Sequence, residues 1–317
     1  MSEAEARVLA AASRFWGRRF VRVAEARRSA NVVLRLEEAG SGRAWWLRLC
    51  RHPGTDGAGL DFEMRVLGAV AGGAGFGVVR PAAGRGGRMR TRVAWEGAMR
   101  HACLFAHAPG REMAHGAEDL RRFGRALAGL HEAMRAAKGV AGRQVEAGAA
   151  CAEVAAWLRR AGVGAVATEV ERAGPVLRAA VALAGPEVGL CHGDARLGNA
   201  LLADEGQAGE RVTFLDFEDC VAGPLALDLA TMAVWLRREA DGAALWGALL
   251  DGYRERRGLS EGDLAAMPAL AALVQVRMAG DLARFWRMTP EMWREERRRV
   301  RVRVEEVGAA GALARLP

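Results

Sequence analysis

The sequence predicts an α+β protein of two lobes: a small antiparallel sheet carrying one helix, then a larger, mostly helical part. Three observations predict it. Alternating apolar and polar segments with Gly-rich turns fill the first third of the chain, and apolar spacing of helical period dominates afterwards. Between Leu190 and Gly223 the helical pattern breaks into short apolar runs around polar clusters. The first lobe is expected over residues 1–107 and the second over 108–317, with Pro109-Gly110 marking the boundary.

Residues 3–16 read as an amphipathic helix, with Val8, Leu9, Ala12, Phe15 and Trp16 on one face. Val21–Ala24 reads as a short strand. In Asn31–Glu38, Val32, Leu34 and Leu36 alternate with Val33, Arg35 and Glu37, and Ala39-Gly40-Ser41-Gly42 turns the chain into a partner strand at Ala44–Cys50. Leu60–Val70 reads as a helix, and Val78–Ala82, Met89–Trp95 and Ala102–Ala106 as three more strands. Helices follow at Ala117–Ala137, Ala150–Ala161 and Thr168–Ala184, and resume at Leu225 to continue to the end. The charge run Arg294–Glu306 reads as a solvated helix face.

The 317 residues suffice for two lobes sharing a cleft, and 51% apolar content supports a sizeable core. The formal charge of +8 is unevenly placed. Residues 1–107 carry 18 Arg against 9 acidic residues, and the remainder is nearly balanced. Such a basic third could hold polyphosphate or nucleic acid, or be a solvated surface. Cys50, Cys103, Cys151, Cys191 and Cys220 form no C-x-x-C pair, which fits reduced thiols better than a disulfide framework or a zinc site. The acidic start M-S-E-A-E-A-R lacks the apolar core of a signal peptide, and no apolar run approaches the roughly 18–20 residues of a membrane span. A cytoplasmic protein with no membrane or nucleic-acid partner is expected.

The chemistry is concentrated in C-H-G-D-A-R-L-G-N-A-L-L at Cys191–Leu202 and F-L-D-F-E-D at Phe214–Asp219. Phosphoryl transfer needs a carboxylate to take or orient the acceptor's hydroxyl proton, hard oxygen ligands for Mg²⁺, and cationic or N–H partners for the phosphates. Asp194 and Asn199 lie close together on a Gly-containing loop. Asp216 ends the short apolar strand Val212–Leu215, where its carboxylate can project into the same cleft.

At these residues the chain resembles the aminoglycoside phosphotransferase and choline kinase superfamily, related in fold to protein kinases. Within it the pattern is most similar to the bacterial branch of type II homoserine kinases and RdoA-like stress-response Ser/Thr kinases. H-G-D-x-x-x-x-N stands as His192, Gly193, Asp194 and Asn199, and D-F-E-D-C-V-A-G-P-L-A-L-D-L-A runs from Asp216 to Ala230. L-R-L-C-R-H-P at 47–53, L-F-A-H-A-P-G-R at 104–111 and G-R-A-L-A-G-L-H at 124–131 resemble the ATP-contacting strand, the hinge and the first large-lobe helix. The resemblance implies a bilobal protein-kinase-like fold. It implies Asp194 as the catalytic base, Asn199 and Asp216 as Mg²⁺ ligands, and Arg48, Glu63, Phe105 and Ala106 at the ATP site. Glu218 and Asp219 are nearby carboxylates with two readings: contact with the metal, or a cap on the following turn or a place in solvent. His192 is expected to orient the loop, and Asp228 to tie it down.

Two departures stand out. Arg48 occupies the place of the usual ATP-contacting lysine, and arginine is not interchangeable with lysine. No Gly-rich phosphate loop precedes the hairpin, so the turn at Arg27–Asn31 must serve. His52, His101, His107, His115 and His131 have no metal-ligand spacing with cysteine. The expected function is therefore ATP- and Mg-dependent transfer of a γ-phosphate to the hydroxyl of a small molecule such as an amino alcohol, sugar or aminoglycoside. The alternatives are a stress-response-type Ser/Thr protein kinase and a nucleotide-binding pseudokinase. Acceptor contacts are expected after Leu225, near Tyr253, Arg277, Asp281 and Trp286; the oligomeric state is not legible.

Overall fold

The computed structural model describes residues 3–28, 31–50, 57–137, 140 and 142–308. In chain order it contains α1 (Glu3–Trp16), β1 (Phe20–Arg28), β2 (Asn31–Glu38), β3 (Ala44–Cys50), α2 (Gly57–Ala69), β4 (Phe76–Val78), β5 (Arg90–Trp95) and β6 (Ala98–Ala106). There follow β7 (Arg111–Glu112), α3 (Ala117–Ala136), α4 (Ala147–Arg160), α5 (Gly164–Ala184), β8 (Val188–Cys191), β9 (Ala200–Ala203), β10 (Arg211–Phe214) and β11 (Val221–Pro224). The chain closes with α6 (Ala226–Leu236), α7 (Gly242–Arg254), α8 (Glu261–Phe285) and α9 (Pro290–Gly308). The architecture is α+β, with an antiparallel sheet at the N-terminal end and a helical C-terminal region.

The first sheet has the order β1-β2-β3-β6-β5, antiparallel throughout. Its period-two alternation sets both faces. Val32, Leu34 and Leu36 pair with Leu49, Leu47 and Trp45, and all six are buried in one cluster with the apolar face of α1. The intervening residues therefore point the other way. Arg48 lies opposite Cys103, and Trp46 opposite Phe105. On that side Leu60, Phe62, Met64 and Leu67 of α2 pack with Cys103 and Phe105. A single charged residue in an apolar strand is thus aimed at the cleft by register alone.

Three strands differ from expectation, β6 by beginning at Ala98 where Ala102 was expected. β1 extends beyond Val21–Ala24 at both ends, to Phe20 and Arg28, because its backbone pairs with β2 from Phe20 opposite Glu38 to Arg28 opposite Val32. The strand expected at Val78–Ala82 is instead Phe76–Val78, and it pairs in parallel with β10 in a second sheet, β4-β10-β9-β7. Pro81 has no N–H to offer a ladder; it makes only an isolated bridge to Phe105, and the Ala82 N–H donates to the Leu104 carbonyl at 2.8 Å. This segment therefore leaves one sheet and runs along the edge of the other.

The charge run of α9 is mostly solvated, as its composition predicts, but Glu296 and Val300 turn inward and are buried. All five cysteines are buried and unpaired. No described helix is long and apolar enough to cross a membrane.

The loop after β8 is fixed from below. Asp228, on the first turn of α6, is fully buried. Its carboxylate accepts from the backbone N–H groups of His192 (2.7 Å) and Gly193 (2.8 Å), and from His131 Nε2–H (3.0 Å). Burial works to raise its pKa, but the His131 hydrogen bond and the nearby His131, His192 and Gly193 groups outweigh it and hold the carboxyl below its ordinary 3.8. With Nε2 of His131 donating to the carboxylate, Nδ1 accepts from the Tyr253 hydroxyl at 2.9 Å. Gly193 has a φ of +84°, and a Cβ there would sit 1.9 Å from the Asp219 carbonyl oxygen. No side chain fits that turn.

Asp228→Asn is expected to lower unfolding stability by about 3 kcal/mol, because the buried donors lose their charged acceptor. A group with a depressed folded pKa stabilises above its unfolded value, and that contribution disappears as pH falls through the folded value. The parent should therefore lose stability on acidification below 3.8 more steeply than Asp228→Asn. Urea unfolding at a series of pH values checks both; parallel pH profiles would contradict the assignment.

Candidate active site

Two loops meet in one place. The first follows β8 through His192, Gly193 and Asp194 to a 3₁₀ turn at Leu197–Asn199. The second follows β10 through Leu215 and Asp216 to a 3₁₀ turn at Phe217–Asp219. One backbone bond and one side-chain bond join them: the Leu215 N–H donates to the Asn199 carbonyl at 2.8 Å, and His192 Nε2–H donates to the Leu215 carbonyl at 2.8 Å. That tautomer leaves His192 Nδ1 to accept from the Asp194 N–H at 3.3 Å. His192 is itself fully buried and packs against Phe217, with ring centroids 4.3 Å apart and the planes tilted by 44°. His192 therefore orients the loop and does not face the cleft.

Asp194, Asn199 and Asp216 all line one cleft of about 1640 Å³ between the first sheet and the helical part. The Asp194 carboxylate accepts from Asn199 Nδ2 at 2.8 Å and from Arg196 Nε at 2.9 Å. Burial pushes its pKa up, against the pull of Arg196. The Asn199 amide nitrogen is committed to Asp194, which leaves its amide oxygen as the atom able to take a metal. Asp216 adopts a left-handed backbone (φ 59°, ψ 65°), a costly conformation for a residue with a side chain.

Asp216 Oδ1 accepts from Arg48 Nη1 at 3.2 Å. Arg48 is 5% exposed and Glu63, on α2, is 1% exposed; the guanidinium spans both Glu63 oxygens, with Nη1 3.0 Å from Oε1. Arg48 also lies 5.3 Å from the centre of the Phe105 ring. Burial raises the Glu63 pKa, opposed by Arg48. Glu63 thus supports Arg48 from behind, while Phe105 and Ala106 line the cleft themselves. The Ala106 N–H is already spent on the Arg80 carbonyl at 2.9 Å.

Glu218 and Asp219 both line the cleft. Glu218 accepts from Asn31 Nδ2 at 2.6 Å, and burial beside Asp216 pushes its pKa up. Asp219 accepts from Arg277 Nη2 at 3.0 Å, while Arg277 Nη1 donates to the Gly193 carbonyl at 3.1 Å. Burial works to raise the Asp219 pKa, but Arg277 and Arg143 outweigh it and hold it low. Of the expected acceptor residues, Arg277, Asp281 and Trp286 line the cleft. Tyr253 does not: it is 1% exposed and bonded to His131, because its position in α7 faces the core against α3. The turn at residues 29 and 30, proposed for phosphate contacts, lies outside the described residues.

Sequence reasoning passed over Arg196 and Trp235, and named Asn31 only within the turn expected to serve the phosphates. Arg196 sits inside the quoted motif, two residues after Asp194; Trp235 comes from a distant segment and carries no local signal. Among the described residues no group of three or more His, Cys, Asp or Glu is placed to hold a metal by itself. Two oxygen donors, Asn199 and Asp216, suit Mg²⁺ that arrives with phosphate oxygens and water completing its shell.

The fold is shared with solved phosphotransferases of low sequence identity. A microcompartment-associated aminopropanol kinase superposes with a TM-score of 0.72 at 20% identity, covering 90% of this chain and 91% of that one. An amicoumacin kinase, solved with AMP-PNP, Ca²⁺ and its antibiotic, gives 0.72 at 17% identity, covering 95% and 93%. A spectinomycin phosphotransferase solved with ADP and its antibiotic gives 0.54 at 12%, covering 96% and 97%. An uncharacterised protein of Deinococcus radiodurans is 30% identical over 196 residues, which is 57% of this chain and 56% of that protein's length. Residues 21–273 match the model of the phosphotransferase enzyme family, APH, and the chain belongs to that family.

Proposed function

We propose that the protein transfers the γ-phosphate of ATP to a hydroxyl of a small molecule, with Mg²⁺ as the cofactor. The observation that carries this reading is the meeting of Asp194, Asn199 and Asp216 in one cleft, locked by the Asn199–Leu215 backbone bond, with buried Arg48 beside Asp216. Residues 1–107 are read as the nucleotide lobe and 108–317 as the lobe carrying the catalytic loops and the acceptor.

Asp194 is the base. Its hydrogen bonds from Asn199 and Arg196 hold one carboxylate oxygen, and a raised pKa improves its ability to take a proton. The acceptor hydroxyl gives its proton to Asp194 as its oxygen bonds to the γ-phosphorus and the bond to the β-phosphate oxygen breaks, yielding a phosphate ester and ADP. Asn199 and Asp216 would hold Mg²⁺, which when bound neutralises charge on the phosphate oxygens. Arg48, held by Glu63, faces the phosphates, and Phe105 and Ala106 border the space for the base. Arginine keeps its charge at any working pH and can grip phosphate through two N–H groups. Support for a small acceptor comes from the fold relatives, which include an aminopropanol kinase and antibiotic kinases.

Asp194→Asn is expected to lower kcat by about 10²- to 10⁴-fold while Mg²⁺-ATP binding persists. ADP release across a panel of alcohols checks it; unchanged turnover would contradict the role of base. Glu63→Ala leaves Arg48 buried without its main partner and is expected to cost about 3 to 5 kcal/mol of stability. It should also raise the KM for ATP, because Arg48 is released from its position. Thermal unfolding and ATP titration test this pair of effects, and a variant as stable as the parent would refute the supporting role.

A further inference from the structure

The half of the cleft beyond Asp194 is built around Trp235, on α6, and its charges are unevenly satisfied. The Arg196 guanidinium lies 5.5 Å from the Trp235 ring centre and that of Arg238 4.7 Å from it. Arg196 spends Nε on Asp194, and its terminal nitrogens take no hydrogen bond among the described residues. Arg238 has no side-chain hydrogen bond or ion pair among the described residues, only the contact with Trp235. Arg299, across from it on α9, reaches Glu295 and Glu296 only at 3.4 Å each. Glu296 is buried and accepts from Gln275 at 2.6 Å; burial raises its pKa, against the pull of Gln275 and Arg299. Burial first, and then the nearby Arg299, lower the Arg238 pKa, with Glu296 pulling the other way.

Elsewhere in the cleft, Arg284 lies against the rings of Trp157 (4.3 Å) and Phe285 (4.8 Å). Its Nε is buried without a partner, and its nearest carboxylate, Asp281, is 4.0 Å away. Besides Glu112 and the carboxylates of the two loops, the cleft is lined by Glu153, Asp281 and Glu296. Asp281 lies by the Asp219–Arg277 pair, Asp194 and Arg284. Two guanidiniums therefore gather at Trp235, with Arg299 near the second. A rigid aromatic platform holds guanidiniums at little entropic cost, and an anion is the group that completes them.

We propose that this end of the cleft is an anion subsite, and that the acceptor is a small alcohol bearing a carboxylate or phosphate, with Arg238 as the direct partner and Arg196 and Arg299 contributing field. The inference rests on the phosphotransfer reading and deepens it. Because Arg196 touches both Asp194 and Trp235, the anionic group lies about one guanidinium away from the reacting hydroxyl. Arg238 also follows the C-terminal end of α6, where a cation complements the helix dipole. That role alone would leave ligand preference unchanged.

The test uses the full chain with Mg²⁺-ADP and three probes matched in size: 4-hydroxybutyrate, 4-hydroxybutyramide and 4-amino-1-butanol. Ligand-observed NMR titration gives a Kd for each, and glycerol 3-phosphate against glycerol gives the phosphate arm. At least one anion is expected to bind about tenfold more tightly than its neutral partner, the effect of one charge-assisted contact. The aminobutanol should bind weakest of the three. Arg238→Gln should erase the anion preference, and Arg238→Lys should restore part of it. Equal affinities, tightest binding of the amine, absence of binding by both anions, or a preference that survives Arg238→Gln each overturn the proposal. Mg²⁺-ATP binding by each variant reports folding. Failure of the parent protein to bind Mg²⁺-ATP would instead contradict the phosphotransfer reading.

Discussion

A carboxylate out of contact with water organises the site. Asp228 receives two backbone N–H groups of the loop and one imidazole, so the His192-Gly193 turn has one low-energy position. An unpaired buried carboxylate would cost several kcal/mol, and each of those donors would be costly to leave unmet. The network therefore holds only when complete. Its rigidity passes forward through His192 to the Leu215 carbonyl, and through the Asn199 carbonyl to the Leu215 N–H. Asp194, Asn199 and Asp216 are side chains on a frame already fixed by main-chain bonds.

The second constraint is electrostatic. Arg48 is carried into the cleft by strand alternation and is nearly fully buried, and Glu63 answers it from α2. It also reaches Asp216 at 3.2 Å and Glu218 at 3.9 Å. Three carboxylates around one guanidinium leave a surplus of negative charge, consistent with the raised pKa of Glu218. A divalent cation arriving with a nucleotide would relieve that surplus. The same half of the cleft is acidic where metal is expected, while the Trp235 half is basic, so the two ends suit chemically different partners.

Much of this was legible in the sequence because it rests on short-range pattern. The alternation of Val32, Leu34 and Leu36 fixed the faces of the sheet, and the helical spacing of Val8, Leu9, Ala12, Phe15 and Trp16 placed α1 against one of them. The spacing of Asp194, Asn199 and Asp216 placed them on loops that do converge. Positions decided by long-range packing were not legible. Tyr253 has the residue type of an acceptor contact, yet the meeting of α7 with α3 turns it into the core. Val78–Ala82 looked like part of the first sheet, and Pro81 with the parallel partner β10 moved it. Trp235 and Arg238, at the end of α6, lie far along the chain from Arg299 on α9, and their common cleft exists only after folding.

A crystal structure of the full chain with Mg²⁺ and a non-hydrolysable ATP analogue tests the central claim most directly. The metal is expected at roughly 2.0–2.1 Å from an Asp216 carboxylate oxygen and the Asn199 amide oxygen. Asp194 should face the γ-phosphate from the acceptor side, with Arg48 against the phosphates. A nucleotide seated away from Arg48, or a metal that touches neither Asn199 nor Asp216, would contradict it.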